Sequence, residues 1–193
     1  LVTACGGETF DEVVQFCVEN GFWGIENLSL IPGTVGAAPI QNIGAYGREL
    51  ADVFVSLSAL DTETSNVVEI PKEACAFGYR DSLFKKTNHR YSIISVTLRL
   101  SKLATPLLNY APLTELKNPT LKEIRECVIS TRQAKLPDWK RFPNAGSFFK
   151  NPVVSKEEGE ALRVSYKTLP LITHTDGYKI PAAWLIEHVA EIK

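Results

Sequence analysis

A glycine-rich segment is the first of four places where the chain could do chemistry. Residues 31–50 read IPGTVGAAPIQNIGAYGREL and hold four glycines. Glycine gives up side-chain burial and costs backbone entropy, so this density indicates a backbone that closely approaches something. Main-chain N–H groups of such a loop suit a ligand, often an anionic one. An ordinary surface loop with turn glycines is the alternative, and Ile31, Val35 and Ile40 argue against it because a solvated loop would be more polar.

An arginine in a turn-like setting is the second feature. Arg80 follows Gly78 and Tyr79 in the segment FGYRDS, residues 77–82. A guanidinium presented in this way offers a planar fork to a carboxylate or a phosphate. A salt bridge to the neighbouring Asp81 is the alternative.

Two cations near a helix end form the third feature. Arg132 and Lys135 lie at helical spacing in TRQAKLPD, residues 131–138. They could bind an anion, or they could compensate the helix dipole, an effect worth about 0.3–1 kcal/mol.

A serine in a glycine and phenylalanine setting is the fourth feature. Ser147 lies in NAGSFFKNP, residues 144–152, which lacks the G-x-S-x-G pattern of acyl-transfer hydrolases. No histidine neighbours it, so Ser-His chemistry has no local support. A serine hydroxyl can donate a proton where the protein stabilises the alkoxide. A turn serine bonded to nearby backbone is the alternative.

The cysteines and histidines do not predict a metal site. The four cysteines are widely spaced, and no pair has metal-ligand or redox-motif spacing. Cys17 and Cys127 lie on apolar faces of predicted helices, so we expect buried, reduced thiols in a cytoplasmic protein. We interpret the three histidines as structural or solvated.

Composition is that of an ordinary globular protein. Of 193 residues, 45% are hydrophobic and 22% charged, and the net charge is −1. This balance gives no electrostatic argument for a nucleic-acid or membrane partner. No apolar run approaches the length of a membrane span, so we expect no membrane insertion.

The periodicity predicts an α+β fold. Capping boxes at Thr9, Thr120 and Ser155 predict three helix starts, and a fourth helix is expected from Pro181. Two strands are predicted from the alternating sets Val53, Val55, Leu57, Ala59 and Ile94, Val96, Leu98, Leu100. Strands and helices are mixed without a regular βαβ rhythm. Periodicity breaks near residues 136–143, which predicts a domain boundary there.

Five segments, in order, resemble one family. IPGTVGAAPIQNIGAYG, FGYRDSLFK, LNYAPLTEL, RQAKLPD and NAGSFFKNP are similar to the UDP-N-acetylenolpyruvoylglucosamine reductase family, in its type I form. The likeness covers nearly the whole chain. It implies that residues 1–136 are most of an FAD-binding domain, and that residues 137–193 begin a C-terminal substrate-binding α+β domain.

The resemblance implies a two-stage oxidoreductase reaction in peptidoglycan precursor synthesis. NADPH reduces bound FAD, and the flavin then reduces UDP-N-acetylglucosamine enolpyruvate to UDP-N-acetylmuramate. The second stage makes an enolate-like carboxylate, which cationic or hydrogen-bonding groups must meet. Arg80 matches the family arginine held against that carboxylate, and Ser147 matches the family proton donor.

The resemblance also implies the binding residues. Those expected to contact the flavin are Gly33, Gly36, Ala37, Ile40, Gly44 and Ala45. Those expected to hold the nucleotide-sugar, chiefly its diphosphate, are Tyr46, Tyr110, Lys135 and Asn151.

A non-catalytic module that binds only the flavin or the nucleotide-sugar is the alternative. The family's N-terminal glycine-rich segment for the FAD pyrophosphate, and its C-terminal glutamate opposite Arg80, have no counterpart here. The chain also has no methionine and opens at Leu1, so we expect a fragment truncated at both ends. An FAD-dependent alcohol oxidase is disfavoured because RQAKLPD and NAGSFFKNP belong to the reductase pattern.

Overall fold

Helices and strands are interspersed along the chain in an α+β arrangement, as predicted. The computed structural model describes residues 1–138, 141–143 and 148–190. The helices are α1 Phe10–Glu19, α2 Leu50–Val53, α3 Leu83–Lys86, α4 Leu121–Lys135, α5 Lys156–Ser165 and α6 Ala182–His188. The strands are β1 Val2–Cys5, β2 Gly44–Ala45, β3 Arg48–Glu49, β4 Phe54–Asp61, β5 Asn66–Pro71, β6 Tyr91–Leu98, β7 Val153–Val154, β8 Ile172–His174 and β9 Gly177–Lys179. Short 3₁₀ turns lie at Glu26–Leu28, Val35–Ala37, Lys72–Cys75 and Leu113–Glu115.

The chain divides into two compact units, Leu1–Arg141 and Phe142–Lys193. The first is built on an antiparallel sheet of order β1-β6-β4-β5. Helix α1 buries Phe10, Val14 and Cys17 in the main core of this unit. Helix α4 buries its stripe in a separate, smaller apolar cluster around Leu113.

Two bulges change which residues of the sheet face the core. Phe54 pairs with Leu98 and Ser56 with Thr97, so Val55 is an extra residue on β4. Further along, Ser58 pairs with Ser95 and Ala59 with Ile93, so Ile94 is an extra residue on β6. The predicted alternation is therefore wrong at one end of each set: Val55 is only half-buried and Ile94 is exposed. A bulge adds one residue to one strand and reverses the alternation beyond it.

The start of α2 also differs from the prediction. Val53 was expected to begin a strand, but it closes the short helix α2. The strand β4 then begins at Phe54.

The capping boxes are confirmed at two of three helix starts. Thr120 at α4 and Ser155 at α5 each accept a hydrogen bond from the backbone N–H of the glutamate three residues on, and that glutamate bonds back. The prediction is wrong at Thr9, whose side chain makes no cap bond. Thr9 instead forms a β-bridge with Thr34, which ties the start of α1 to the glycine-rich segment.

The second unit packs a helix on a small sheet of order β7-β9-β8. Helix α5 lies so close to β9 that a β-carbon at Gly159 would stand 2.6 Å from the Tyr178 ring. Pro181 is the N-cap of α6, one position before the predicted first turn. Leu169 and Ile180 are buried in this unit.

No helix in the described part of the chain combines the length and the apolar character needed to cross a membrane.

Candidate functional site

The first half of the glycine-rich segment runs along the end of the main sheet. The Gly36 N–H donates to the Gly6 oxygen at 2.8 Å. A β-carbon at Gly36 would lie 3.1 Å from that oxygen and 3.3 Å from the Ile93 oxygen. Position 36 therefore requires glycine because the segment packs closely against the protein's own backbone.

Small side chains from the same segment face outward. Gly33 and Ala37 are exposed, and a β-carbon at Gly33 would meet nothing within 4 Å. Gly33 has φ +113°, a conformation that favours glycine, and its oxygen accepts the Phe10 N–H at 3.0 Å. At these two positions the segment exposes no large side chain.

Arg80 lies in a tight turn that faces the second half of the glycine-rich segment. Gly78 and Asp81 exchange both backbone hydrogen bonds, at 3.0 and 3.2 Å, with Tyr79 and Arg80 at the corner. Arg80 has φ +53°, which is uncommon for a residue other than glycine.

The Arg80 guanidinium is held by main-chain oxygens. Nη1 donates to the Asn42 oxygen at 3.4 Å, and Nη2 donates to the Gly44 oxygen at 2.5 Å. Nη1 also lies 3.8 Å from Glu49 Oε1. Asp81, the partner that the alternative interpretation required, forms an ion pair with Lys86 at 2.9 Å.

Two buried side chains join the Arg80 turn to the glycine-rich segment. Asn42 Nδ2 donates to the Gly78 oxygen at 3.1 Å. The Ser82 hydroxyl donates to the Ile40 oxygen at 2.6 Å and also caps α3 by accepting the Phe84 N–H. The structure therefore brings together three residues predicted for the site, namely Ile40, Gly44 and Arg80.

Ala45 and Tyr46 belong to a small hairpin. Ala45 pairs with Arg48 across a two-residue turn in which Tyr46 has φ +48° and Gly47 has φ +82°. This is the type I′ geometry that matches the twist of paired strands. The Tyr46 ring meets the Tyr110 ring edge to face, with centroids 6.0 Å apart.

Asn27 fixes the two loops that carry these tyrosines. Its Nδ2 donates to the Tyr46 oxygen and to the Leu107 oxygen, both at 2.9 Å. Asn27 is fully buried. The half-buried Tyr46 and the exposed Tyr110 are thus brought together from segments far apart in sequence, and burial raises the pKa of the Tyr46 phenol.

From the sequence, Arg132 could either bind an anion or compensate the dipole of α4. Its setting in the structure favours a binding role. Its Nε is buried and meets no acceptor among the described residues. Burial lowers the pKa of the Arg132 guanidinium, whereas the nearby Tyr46 phenol and Asp11 carboxylate act to raise it. A signal was available in the sequence, because Arg132 follows Ile124 and Val128 at four-residue steps and so falls on the buried stripe of α4.

Three further residues were predicted for the site. Lys135 is exposed at the last position of α4. Asn151, in the second unit, accepts the Ala182 N–H at 2.9 Å through Oδ1, so its Nδ2 donor is the group left for other partners. Ser147 lies outside the described residues, and no group of three or more His, Cys, Asp or Glu in the described part of the chain could hold a metal ion.

Known proteins resemble the chain along most of its length. Residues 1–70 match a family model described as the FAD binding domain. A UDP-N-acetylenolpyruvoylglucosamine reductase from Amoebophilus asiaticus is 49% identical over 189 residues, covering 94% of this chain and 56% of that protein. The reductases of the same name from Cupriavidus pinatubonensis and Pseudomonas aeruginosa are 50% and 47% identical, each covering 97% of this chain and 57% of the relative. Over nearly its whole length the chain is thus similar to UDP-N-acetylenolpyruvoylglucosamine reductases.

A solved structure of the family shows the same fold. The crystal structure of UDP-N-acetylenolpyruvylglucosamine reductase from Thermus caldophilus superposes with a TM-score of 0.59 at 20% identity, over 93% of this chain and 61% of that one. The chain spans about 56% of the length of the family members that it matches by sequence.

Proposed function

We propose that the protein reduces UDP-N-acetylglucosamine enolpyruvate to UDP-N-acetylmuramate with FAD and NADPH, in the cytoplasm, for peptidoglycan precursors. The similarity to reductases of this name supports the reaction. The observation that carries it is the Arg80 guanidinium, held against the backbone of the glycine-rich segment by Asn42 and Gly44. Residues 1–136 would form the FAD-binding domain, and residues 137–193 would begin the substrate-binding domain.

The glycine-rich segment has the features that a flavin ring requires. Gly33 and Ala37 present a surface without bulky groups. The Ile40 oxygen is occupied by Ser82, whereas no acceptor lies against the Ile40 N–H among the described residues. Ile40, Gly44 and Ala45 would border the ring, together with Gly36. When bound, FAD would supply hydride transfer from NADPH to the enolpyruvyl double bond.

Arg80 and Ser147 would act on the enolpyruvyl group itself. Hydride addition to the double bond places negative charge on the neighbouring carbon and on the carboxylate attached to it. The Arg80 guanidinium would stabilise that carboxylate, since only part of its donor capacity is taken up by backbone oxygens. Ser147 would donate the proton that completes the reduction, an assignment that rests on the family motif.

The nucleotide-sugar would be held by residues that offer hydrogen-bond donors. Tyr46 and Tyr110 would present an aromatic edge and hydroxyl groups, and Lys135 would bring a positive charge to the diphosphate. Asn151 would donate through Nδ2, because its Oδ1 accepts the first N–H of α6. Arg132, whose buried Nε meets no acceptor among the described residues, joins this set.

The test is NADPH oxidation at 340 nm by the protein expressed from its complete gene and loaded with FAD. We expect oxidation that depends on UDP-N-acetylglucosamine enolpyruvate. Replacement of Arg80 by alanine should lower kcat by about 10²–10³, the effect of removing one donor to developing charge. Leu103→Ala, at an exposed position, is the control. Wild-type turnover in R80A would refute the role given to Arg80.

Ser147→Ala divides the reaction into its halves. Flavin reduction by NADPH should stay near the wild-type rate, whereas substrate-dependent reoxidation should slow. An equal fall in both halves would contradict the proton-donor role. The alternative of a module that only binds flavin or nucleotide-sugar is not favoured, because the relatives compared above are all named as reductases.

A further inference from the structure

Glu49 forms an ion pair with the Arg80 guanidinium without a direct hydrogen bond. Its Oε1 lies 3.8 Å from Arg80 Nη1, close enough for attraction but too far for a hydrogen bond. A carboxylate in direct hydrogen-bond contact would compete with an anionic ligand for the guanidinium. At this distance Glu49 attracts the cation and leaves its N–H donors available.

The Glu49 carboxylate is itself held in place from two sides. Its Oε2 accepts Asn42 Nδ2 at 2.8 Å. The Glu49 carboxylate also accepts the backbone N–H of Asp52 in a capping box at the start of α2. In the same capping box the Asp52 carboxylate accepts the Glu49 N–H at 2.9 Å. The position of this negative charge is therefore fixed by the fold.

Asn42 connects Glu49 to the oxygens that hold Arg80. Asn42 is 1% exposed, and its Oδ1 accepts the Ala51 N–H at 2.9 Å. Its main-chain oxygen is one of the two acceptors of the guanidinium, and the Gly44 oxygen is the other. Glu49, Asn42 and the two oxygens thus form one connected cradle.

The Arg80 guanidinium is tightly packed against Gly44 and Glu49. A β-carbon at Gly44 would lie 2.8 Å from Arg80 Nη1 and 3.0 Å from Glu49 Cγ. A cation in such a tight setting adopts the orientation that its charged neighbour and its acceptors impose.

We infer that Glu49 is a positioning residue for Arg80: its charge, held by Asn42 and by the start of α2, orients the guanidinium toward the carboxylate of the substrate. The inference rests on the proposed function. It extends that function by assigning the recognition of the enolpyruvyl carboxylate to an arginine-glutamate pair rather than to the arginine alone.

The test compares Glu49→Gln with Asp52→Asn in the FAD-loaded protein expressed from its complete gene. Both changes alter the capping box of α2, but only Glu49 faces Arg80. In E49Q we expect flavin reduction by NADPH to stay within about twofold of wild type, while reoxidation by the enolpyruvyl substrate slows about tenfold or more, the scale of a small misplacement of a reacting group. D52N should react like wild type in both halves, because the side-chain oxygen of asparagine can still accept the Glu49 N–H and the Glu49 charge is kept.

Calorimetry of ligand binding distinguishes the proposed effect from a general loss of structure, which would weaken the binding of both ligands. Affinity for UDP-N-acetylglucosamine, which lacks the carboxylate, should be unchanged in E49Q, whereas affinity for the enolpyruvyl compound should fall. Wild-type reoxidation and affinity in E49Q, or an equal loss in D52N, would overturn the inference. If E49Q does not fold, Glu49→Asp, which keeps the charge but shortens its reach, serves in the same comparison. A wild-type protein whose flavin the substrate does not reoxidise would instead overturn the proposed function itself.

Discussion

Asp11 and Arg125 form a two-point ion pair between α1 and α4. Arg125 Nη1 donates to Asp11 Oδ1 at 2.6 Å, and Nη2 donates to Oδ2 at 3.0 Å. The same Oδ1 accepts the Leu30 N–H at 2.6 Å, just before the glycine-rich segment begins. Burial of the carboxyl group would raise the Asp11 pKa, but the bonds from Arg125 and Leu30 outweigh it and leave the pKa below its ordinary value. This pair links the helix that carries Arg132 to the entry of the candidate flavin loop.

Arg125→Met should therefore destabilise the protein by about 3 kcal/mol, because it leaves a partly buried carboxylate without its cation. The double variant D11N/R125M should recover part of the loss, since an asparagine oxygen can still accept the Leu30 N–H and carries no charge. Urea unfolding measures both. Lys122→Met is the control, because Lys122 forms an exposed pair with Glu126 on the same helix and its loss should change stability by less than about 0.5 kcal/mol. A double variant no more stable than R125M would argue against the unpaired charge as the cause.

Two adjacent glycines should respond oppositely to alanine. A β-carbon at Gly6 would lie 2.4 Å from the Ile93 oxygen, whereas one at Gly7 would meet nothing within 4 Å. Gly6→Ala should cost about 2 kcal/mol or more, because the main chains of β1 and β6 must separate. Gly7→Ala should be neutral or stabilise by about 0.4–1 kcal/mol through the unfolded state. Thermal unfolding of the two variants checks this, and similar melting temperatures would contradict it.

The Asp61–Arg90 pair should contribute to the fall in unfolding free energy at acid pH. Hydrogen bonds from Arg90 lower the pKa of Asp61 to about 2. Because the folded pKa is depressed, the stabilisation is present above the ordinary aspartate pKa and is lost as the pH falls toward 2. Asp61→Asn should thus show a flatter decline of unfolding free energy between about pH 4 and pH 2. Glu63→Gln, which removes an exposed partner of the same arginine, should keep the wild-type slope, and an unchanged slope in D61N would exclude the pair as a contributor.

Arg132→Met should separate stability from binding. A buried donor without an acceptor costs about 1–3 kcal/mol, so the apolar replacement should leave the ligand-free protein as stable as wild type or more stable. Affinity for UDP should fall, because the proposed diphosphate site loses a cation. Melting curves without ligand and calorimetric titration with UDP measure the two effects. A clear loss of ligand-free stability would show that Arg132 has a structural partner.

Local signals in the sequence predicted local structure well. The capping boxes at Thr120 and Ser155 formed because both partners lie within one helical turn. The same pattern failed at Thr9, where a β-bridge to Thr34 intervened. The strand faces were misplaced at Val55 and Ile94 because a bulge is set by the pairing of two strands, which a single periodic pattern does not contain.

For the site, the sequence identified residues more readily than their partners. Arg80 was singled out by its setting after glycine, but the oxygens that hold it lie 36 and 38 residues away. Tyr46 and Tyr110 were both predicted to bind substrate, and their mutual contact became visible only with the fold. The resemblance supplied the roles of the site residues, and all of these roles stay predictions.

The left-handed backbone at Asn42, Tyr46 and Arg80 has a consequence for protein engineering. Such a conformation costs a residue other than glycine or asparagine about 1 kcal/mol or more. Library selection for heat resistance alone would favour glycine at Tyr46 and Arg80, and would remove both proposed site side chains in return for a less strained backbone. Retention of these two side chains in a stabilised library would therefore itself report selection for turnover.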